Sequence, residues 1–231
     1  MTAGQVHIVS NRSEGGSAAD RKRAEEFRYW NERKAAEGTL HNGWYQYFYT
    51  EHFGLSLGDY AGIRVLDIGC GPRGSLDWAR DAAERVGLDP LADDYRRLRP
   101  DGYLMEMVAS GSEDIPYADG HFDIVCSFNS LDHVDDLDET VAEIKRVARP
   151  GGLFLLLTDV NHKATECEPI EFGWEIAQVF TDAFEILEER RFEKSDPGMY
   201  QSIRSDVSYD MDDPAERYGI ISVKFRKAAV A

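Results

Sequence analysis

From Gly62 onward, short apolar runs alternate with amphipathic stretches along the chain. The runs predict seven strands: Arg64 to Ile68, Arg85 to Leu88, Tyr103 to Val108, Phe122 to Phe128, Leu153 to Thr158, Phe184 to Phe192 and Ile220 to Phe225. The amphipathic stretches predict helices over Leu76 to Ala83, Ala92 to Leu98, Leu137 to Ala148 and Ile170 to Phe180. Strand and helix in alternation is the pattern of a parallel sheet covered by helices. No helix is predicted between the last two strands, so those two are expected to pair antiparallel.

Outside this alternation lie three segments of different character. Residues 1–19 are polar and rich in Gly, Ser and Ala, and are expected to form a flexible tail. The stretch "DRKRAEEFRYWNERKAAEG" reads as a helix with Asp20 as N-cap and Gly38 as its stop. In "HNGWYQYFYTEHFG", Trp44, Tyr45, Tyr47, Phe48 and Tyr49 surround a further helix. That helix either packs on the domain by its aromatic face or closes over a site as a lid. The polar segment 195–217 is too long for a tight hairpin, and is either an active-site loop or a disordered excursion. The expected organisation is a tail followed by one domain over 20–231, with an N-terminal helical lid at 20–58 and an inserted loop at 195–217.

Composition narrows the partners. With 43 acidic and 26 basic side chains among 231 residues, the formal charge is −17. Such a surface repels a phosphate backbone, so nucleic acid is not expected as a partner. The chain shows neither a signal-peptide pattern nor an apolar run of the roughly 20 residues that a membrane span needs, so no membrane association is expected. Cys70, Cys126 and Cys167 form no CxxC pair. A reduced, cytoplasmic protein without a disulfide framework or a cysteine zinc site follows.

The chemistry begins at "RVLDIGCGPRG", residues 64–74, where a strand-like run enters a glycine-rich turn. Glycines there let the chain turn sharply and expose amides at the start of the following helix, a geometry suited to an anionic or polar ligand. Asp67 sits in the strand end, and Asp89 follows 22 positions later in "VGLDP". A carboxylate at the end of the second strand faces the same crevice as the glycine turn and can accept from ribose hydroxyls. The competing role for Asp89 is that of a helix N-cap.

Taken in order, "VLDIGCGPRGSL", "VGLDP", "EDIPYADGHFDIV" and "RVARPGGLFLL" resemble the class I S-adenosylmethionine-dependent methyltransferase family over about residues 60–160. The resemblance implies an α/β fold with a Rossmann-like seven-stranded, mostly parallel sheet, an antiparallel last strand and helices on both faces. It implies S-adenosylmethionine as cofactor, with Gly69, Cys70 and Gly71 beneath its methionine portion and Asp67 orienting its amino group. Asp89, with Pro90 beside it, matches the ribose-binding acid. Ser112 and Glu113 match the adenine-binding segment, and Asn129, Ser130 and Leu131 match the backbone that contacts the cofactor near the transferred methyl. Two positions depart from the family pattern. Gly111 stands where relatives place an Asp, which puts the carboxylate contact to the adenine amino group in doubt or passes it to Glu113. Arg73 stands where many relatives have a glycine, and either remains in solvent or approaches the cofactor's carboxylate.

His133 matches a histidine of the family's "LHHV" motif and is either a general base or a structural residue. The loop "TDVNHKATECEP" leaves the same sheet edge and gathers Asp159, Asn161, His162, Glu166 and Glu168. It is expected to recognise the acceptor, with His162 or His133 as base and Trp44, Tyr45, Tyr49 and Asn161 contributing substrate or lid contacts. The spacing of these donors is not diagnostic of a metal, and none is expected. The expected function is methyl transfer to a small-molecule acceptor, with specialised metabolism as one setting. The alternative is a protein that binds S-adenosylmethionine or S-adenosylhomocysteine for regulation or for other chemistry. A nicotinamide dehydrogenase fits less well, because "PRGSL" does not complete the dinucleotide context.

Overall fold

The computed structural model describes residues 18–195 and 198–229. Seven strands form one sheet: β1 Arg64–Ile68, β2 Glu84–Leu88, β3 Glu106–Val108, β4 Phe122–Phe128, β5 Ala148–Val160, β6 Phe184–Glu193 and β7 Gly219–Lys227. Their order is β3-β2-β1-β4-β5-β7-β6. β1 pairs parallel with β2 and β4, β2 with β3, and β4 with β5. β7 runs antiparallel to both neighbours, wedged between β5 and β6. The chain is therefore an α/β protein with a Rossmann-like, mostly parallel sheet and an antiparallel last strand, as expected.

Side chains of the central strands alternate between two apolar layers, because successive residues point to opposite faces. Leu66, Ile68, Val125, Phe154 and Leu156 enter one layer, where helix α4 (Leu137–Val147) supplies Val141, Ile144 and Val147. Val65, Ile124, Cys126, Leu155 and Leu157 enter the other. That second layer is covered by α2 (Gln46–Tyr49), α3 (Ala92–Leu98) and α5 (Met199–Ser205). Burial on both faces explains why these strands read as nearly continuous apolar runs.

The Asp136 side chain caps α4, accepting from the Glu139 backbone N–H at 2.9 Å. Asp136→Ala is expected to cost about 1 kcal/mol and to lower the thermal midpoint by about 2–4 °C in a chain of this size. A circular-dichroism melt indistinguishable from wild type would show that the cap contributes nothing.

Several sequence expectations are corrected. The stretch Leu76 to Ala83 is a succession of turns, not a helix. Its groups are claimed by distant partners: Asp77 Oδ1 accepts from the Leu104 and Met105 amides at 2.8 and 3.0 Å, and Asp77 Oδ2 pairs with Arg99 at 2.8 Å. Ile170 to Phe180 forms a 3₁₀ helix over Trp174–Phe180, not an α-helix. The aromatic segment holds only the one-turn α2 and a 3₁₀ turn at Glu51–Phe53. The N-terminal helix α1 spans Ala18–Glu37, so Asp20 lies in its first turn and is not its cap. The expected tail otherwise falls outside the described residues. The inserted segment 195–217 carries α5 and a bridge from Ser208 to Phe192, so its described part is an ordered excursion. Among the described residues, no helix is long and apolar enough to cross a membrane.

Candidate functional site

β1, β4 and β5 are parallel and end at one edge of the sheet. Each then enters a residue of positive φ: Gly69 at 67°, Asn129 at 55° and Asn161 at 61°. Asparagine is among the few residues besides glycine that tolerate this conformation, and it turns the chain abruptly off the strand. The edge thereby opens into a crevice, the place where open parallel sheets bind ligands. Gly69 has no room for a side chain, since a Cβ there would lie 2.3 Å from Ser130 Cβ. Ser130 Oγ donates to the Ile68 carbonyl at 2.8 Å and lies 2.8 Å from Ser127 Oγ, which ties the ends of β1 and β4 together.

Two buried carboxylates face this crevice. Asp67 Oδ2 accepts from the Tyr49 hydroxyl at 2.8 Å and from the Ser75 hydroxyl. Asp89 Oδ2 accepts from the Gly71 amide at 3.1 Å, and Asp89 Oδ1 accepts from the Leu91 amide at 2.9 Å. Asp89 thus serves the glycine turn and the approach to α3 at once. The N-cap alternative is not realised, since Leu91 is the N-cap of α3, and each Asp89 carboxylate oxygen retains a further lone pair for a ribose hydroxyl.

A cavity of about 630 Å³ opens beside Asp67, Gly69, Cys70, Gly71 and Asn129. A smaller one of about 80 Å³ lies against Asp89, Pro90, Ser112, Glu113 and Ser130. Gly69, Asn129, His133 and Glu26 border both. Helix α1 roofs the crevice. Lys22 donates to the His133 carbonyl and pairs with Asp135, and Arg73 forms a two-pronged pair with Glu37 at 2.8 Å for each prong. Arg73 also lies 5.4 Å from the Trp30 ring. Arg73 is therefore not a solvent spectator: it is buried, lines the larger cavity and fastens α1 to the glycine turn.

The other predicted residues divide by where they point. Trp44 and Tyr45 stack at 4.0 Å on the wall of the larger cavity and meet Tyr200 of α5 edge-on, while Tyr49 is buried with its hydroxyl on Asp67. Ser112 Oγ lies 2.8 Å from Thr140 Oγ1, and Glu113 Oε1 accepts from the Asp135 and Asp136 amides at 2.8 and 3.2 Å. Those contacts leave mainly backbone at the adenine-matching segment. Leu131 is sunk in the core and borders neither cavity. Asn161 and His162 border neither cavity either. His162 is buried, with Nδ1 3.1 Å from the Lys163 carbonyl and Nε2 3.4 Å from Asp132 Oδ2. His162, expected as a base, thus lies off both cavities, with Nε2 facing the Asp132 carboxylate and not the open crevice. His133 keeps a place on the wall. Asp132, Trp30, Lys194 and Tyr200 escaped the sequence reading. The signal for Asp132 was its position between the strand end and His133.

Residues 66–156 match a family model described as a methyltransferase domain. Over that segment the chain is similar to methyltransferase domains. Its relatives include a malonyl-acyl-carrier-protein O-methyltransferase of Enterobacter lignolyticus, 38% identical over 96 residues, a match covering 41% of this chain and 38% of the relative. The chloroplastic tocopherol O-methyltransferase of Arabidopsis thaliana is 31% identical over 120 residues, covering 48% of this chain and 34% of the relative. The chain thus spans between a third and two fifths of the length of these curated relatives. Among solved structures, the cyclase SpnF superposes with a TM-score of 0.55 at 20% identity, covering 75% of this chain and 79% of that one. That likeness establishes the fold.

The donor set at this crevice fits S-adenosylmethionine. Burial pushes the Asp67 carboxyl up to about 7 against the hydrogen bonds from Ser75 and Tyr49, which favour its anion. Burial, then the nearby Glu26, pushes Asp89 up to about 7 against the Leu91 and Gly71 amides. Two carboxylates short of positive charge beside a cavity suit a ligand carrying an ammonium and hydroxyls.

These shifts carry a pH signature. Both acids lie above their ordinary value of 3.8 in the folded state, so the folded protein holds protons that the unfolded chain releases between about pH 4 and 7. Stability from this source is greatest at the acid end of that window and falls as pH rises through it. Above about pH 5.5 the salt-bridged carboxylates of lowered pKa, such as Glu37 and Glu193, are ionised in both states and add little slope. Ligand-free protein is expected to melt higher at pH 5.5 than at pH 8, the two acids outweighing buried His52, which opposes them below about pH 6.5, with a shallower slope in an Asp67→Asn, Asp89→Asn double variant. Melting points that rise toward pH 8 would contradict the assignment.

Proposed function

We propose that this protein transfers a methyl group from S-adenosylmethionine to a small-molecule acceptor. The observation that carries the reading is the convergence of Asp67, the Gly69 to Gly71 turn and Asp89 on one crevice beside a cavity of about 630 Å³. The cofactor, when bound, supplies an electrophilic methyl on a sulfonium. Asp67 would hold its amino group, Asp89 its ribose hydroxyls, and the backbone of Gly69, Cys70, Gly71 and Asn129 its approach to the sheet. Pro90 and the backbone of Ser112 and Glu113 would bound the adenine side. Helix α1 and the aromatic pair Trp44 and Tyr45, braced by Tyr200, would exclude water from the acceptor.

Catalysis in such a site comes mainly from holding the acceptor's lone pair in line with the methyl carbon, which makes transfer effectively intramolecular. Asp159, paired with Lys194, lines the cavity and leaves Oδ1 without a hydrogen-bond partner among the described residues. It is placed to accept from a hydroxyl or amine of the acceptor. In the metal-free site His133 is the base candidate on the wall. The net charge of −17 supports a small acceptor over nucleic acid, and three free cysteines support a cytoplasmic setting.

Isothermal titration with S-adenosylmethionine and S-adenosylhomocysteine tests the cofactor assignment. Micromolar binding, about −8 kcal/mol, is the expected result. Binding of neither by folded protein would overturn the proposal, and binding without methylation across a panel of labelled-methyl acceptor assays would favour a non-transfer role.

A further inference from the structure

Beyond the cofactor crevice, the turn after β4 gathers unsatisfied donors. Asp132 is fully buried, and neither of its carboxylate oxygens receives a hydrogen bond from the described residues. His133 Nε2 and His162 Nε2 are buried and equally unpartnered. Four of the eight orphaned buried side-chain atoms among the described residues therefore sit in this one cluster. Buried polar groups are almost always paired, so a concentration of exceptions calls for a missing partner.

The geometry says what that partner is. His133 Nε2 lies 4.0 Å from Asp132 Oδ1 and 3.7 Å from Glu168 Oε1, and the donor atoms of all three residues lie within 4.8 Å of one another. Donors bound at about 2.0–2.2 Å around one ion stand about 3–4 Å apart, so these three need only small adjustments to share one. Lys22, the nearby ammonium, spends itself on the His133 carbonyl and Asp135, and leaves the three donors unneutralised. His162, 3.4 Å from Asp132 Oδ2, stands where an outer-shell histidine orients a ligating carboxylate.

We infer that Asp132, His133 and Glu168 form a binding site for a divalent metal ion at the edge of the larger cavity. One imidazole and two carboxylates suit Mn²⁺ or Zn²⁺ better than a soft, thiolate-seeking ion. His133 and Glu168 both line the cavity, and three protein ligands leave coordination open toward it, the arrangement of reactive rather than purely structural metal sites. This site was not expected from the sequence, where the donors weighed were those of the loop after β5 and Asp132 was not among them. On the methyltransferase reading, on which this extension rests, the favoured acceptor presents an oxygen ligand such as paired hydroxyls or a carboxylate.

The test uses the full chain stripped with a chelator and titrated with Mn²⁺ in the absence of S-adenosylmethionine, followed by electron paramagnetic resonance and calorimetry. Saturable binding of a single ion is expected, weakened at least tenfold in Asp132→Asn and in Glu168→Gln. Should the buried Asp132→Asn variant fail to fold, Glu168→Gln on its partly exposed loop carries the test alone. Absence of saturable binding, or binding undiminished in Glu168→Gln, would overturn the site and assign any Mn²⁺ uptake to the acidic surface. The chelated protein is titrated with S-adenosylmethionine in parallel. Cofactor binding without Mn²⁺ binding sinks the metal site alone, whereas Mn²⁺ binding without cofactor binding sinks the methyltransferase reading and leaves the metal site standing.

Discussion

Gly69→Ala is expected to destabilise the protein by about 2–5 kcal/mol, the sum of about 1–2 for forcing a Cβ into the left-handed region and about 1–3 for overpacking. The backbone at Gly69 has φ of 67°, and the new Cβ would meet Ser130 Cβ at 2.3 Å. Relief by moving Ser130 is blocked, because its hydroxyl is tied to Ile68 and Ser127 across two strands. Gly62→Ala is the matched control. Its φ is 71°, yet nothing lies within 4 Å of its added Cβ, so only the backbone contribution of about 1–2 kcal/mol applies. Urea denaturation of the two variants measures the difference. Equal losses would mean that the clamp between β1 and β4 yields, and that Gly69 is required for its torsion alone.

Asp89→Ala is expected to weaken S-adenosylmethionine binding by about 5- to 150-fold, the equivalent of about 1–3 kcal/mol for losing charge-assisted hydrogen bonds in a desolvated site. Because Asp89 also holds the Gly71 and Leu91 amides, the variant should lose some stability as well. Asp89→Asn separates the two effects. It retains one oxygen for an amide while removing the charge, so it should preserve more of the fold than of the affinity. Calorimetry on folded variant protein decides the matter. Wild-type affinity in a folded Asp89→Ala variant would remove Asp89 from the binding site and leave it as a brace of the glycine turn.

The sheet was legible in the sequence because its strands are buried on both faces, and a run such as "FDIVCSF" has few other places to go. The shorter helices were not. Leu76 to Ala83 has helical composition, but Asp77 is claimed by the Leu104 and Met105 amides and by Arg99, and those long-range partners replace the i to i−4 ladder. With that helix gone, the crevice has no helix N-terminus after the glycine turn, and Arg73, bound to Glu37, stands in the region instead.

What the sequence by itself determined is the position of the strands along the chain, the glycine turn and the two acids spaced along it, since these depend on neighbours close in the chain and on local patterns of apolar residues. The tertiary structure alone decided which polar groups meet. It laid α1 across the crevice through Lys22 and Arg73, turned His162 away from the cavity, and brought Glu168 to within 3.7 Å of His133 from a loop 35 residues further on (168 − 133). Such meetings depend on how separate segments fold back on one another, and side-chain chemistry in a linear string carries no record of that distance.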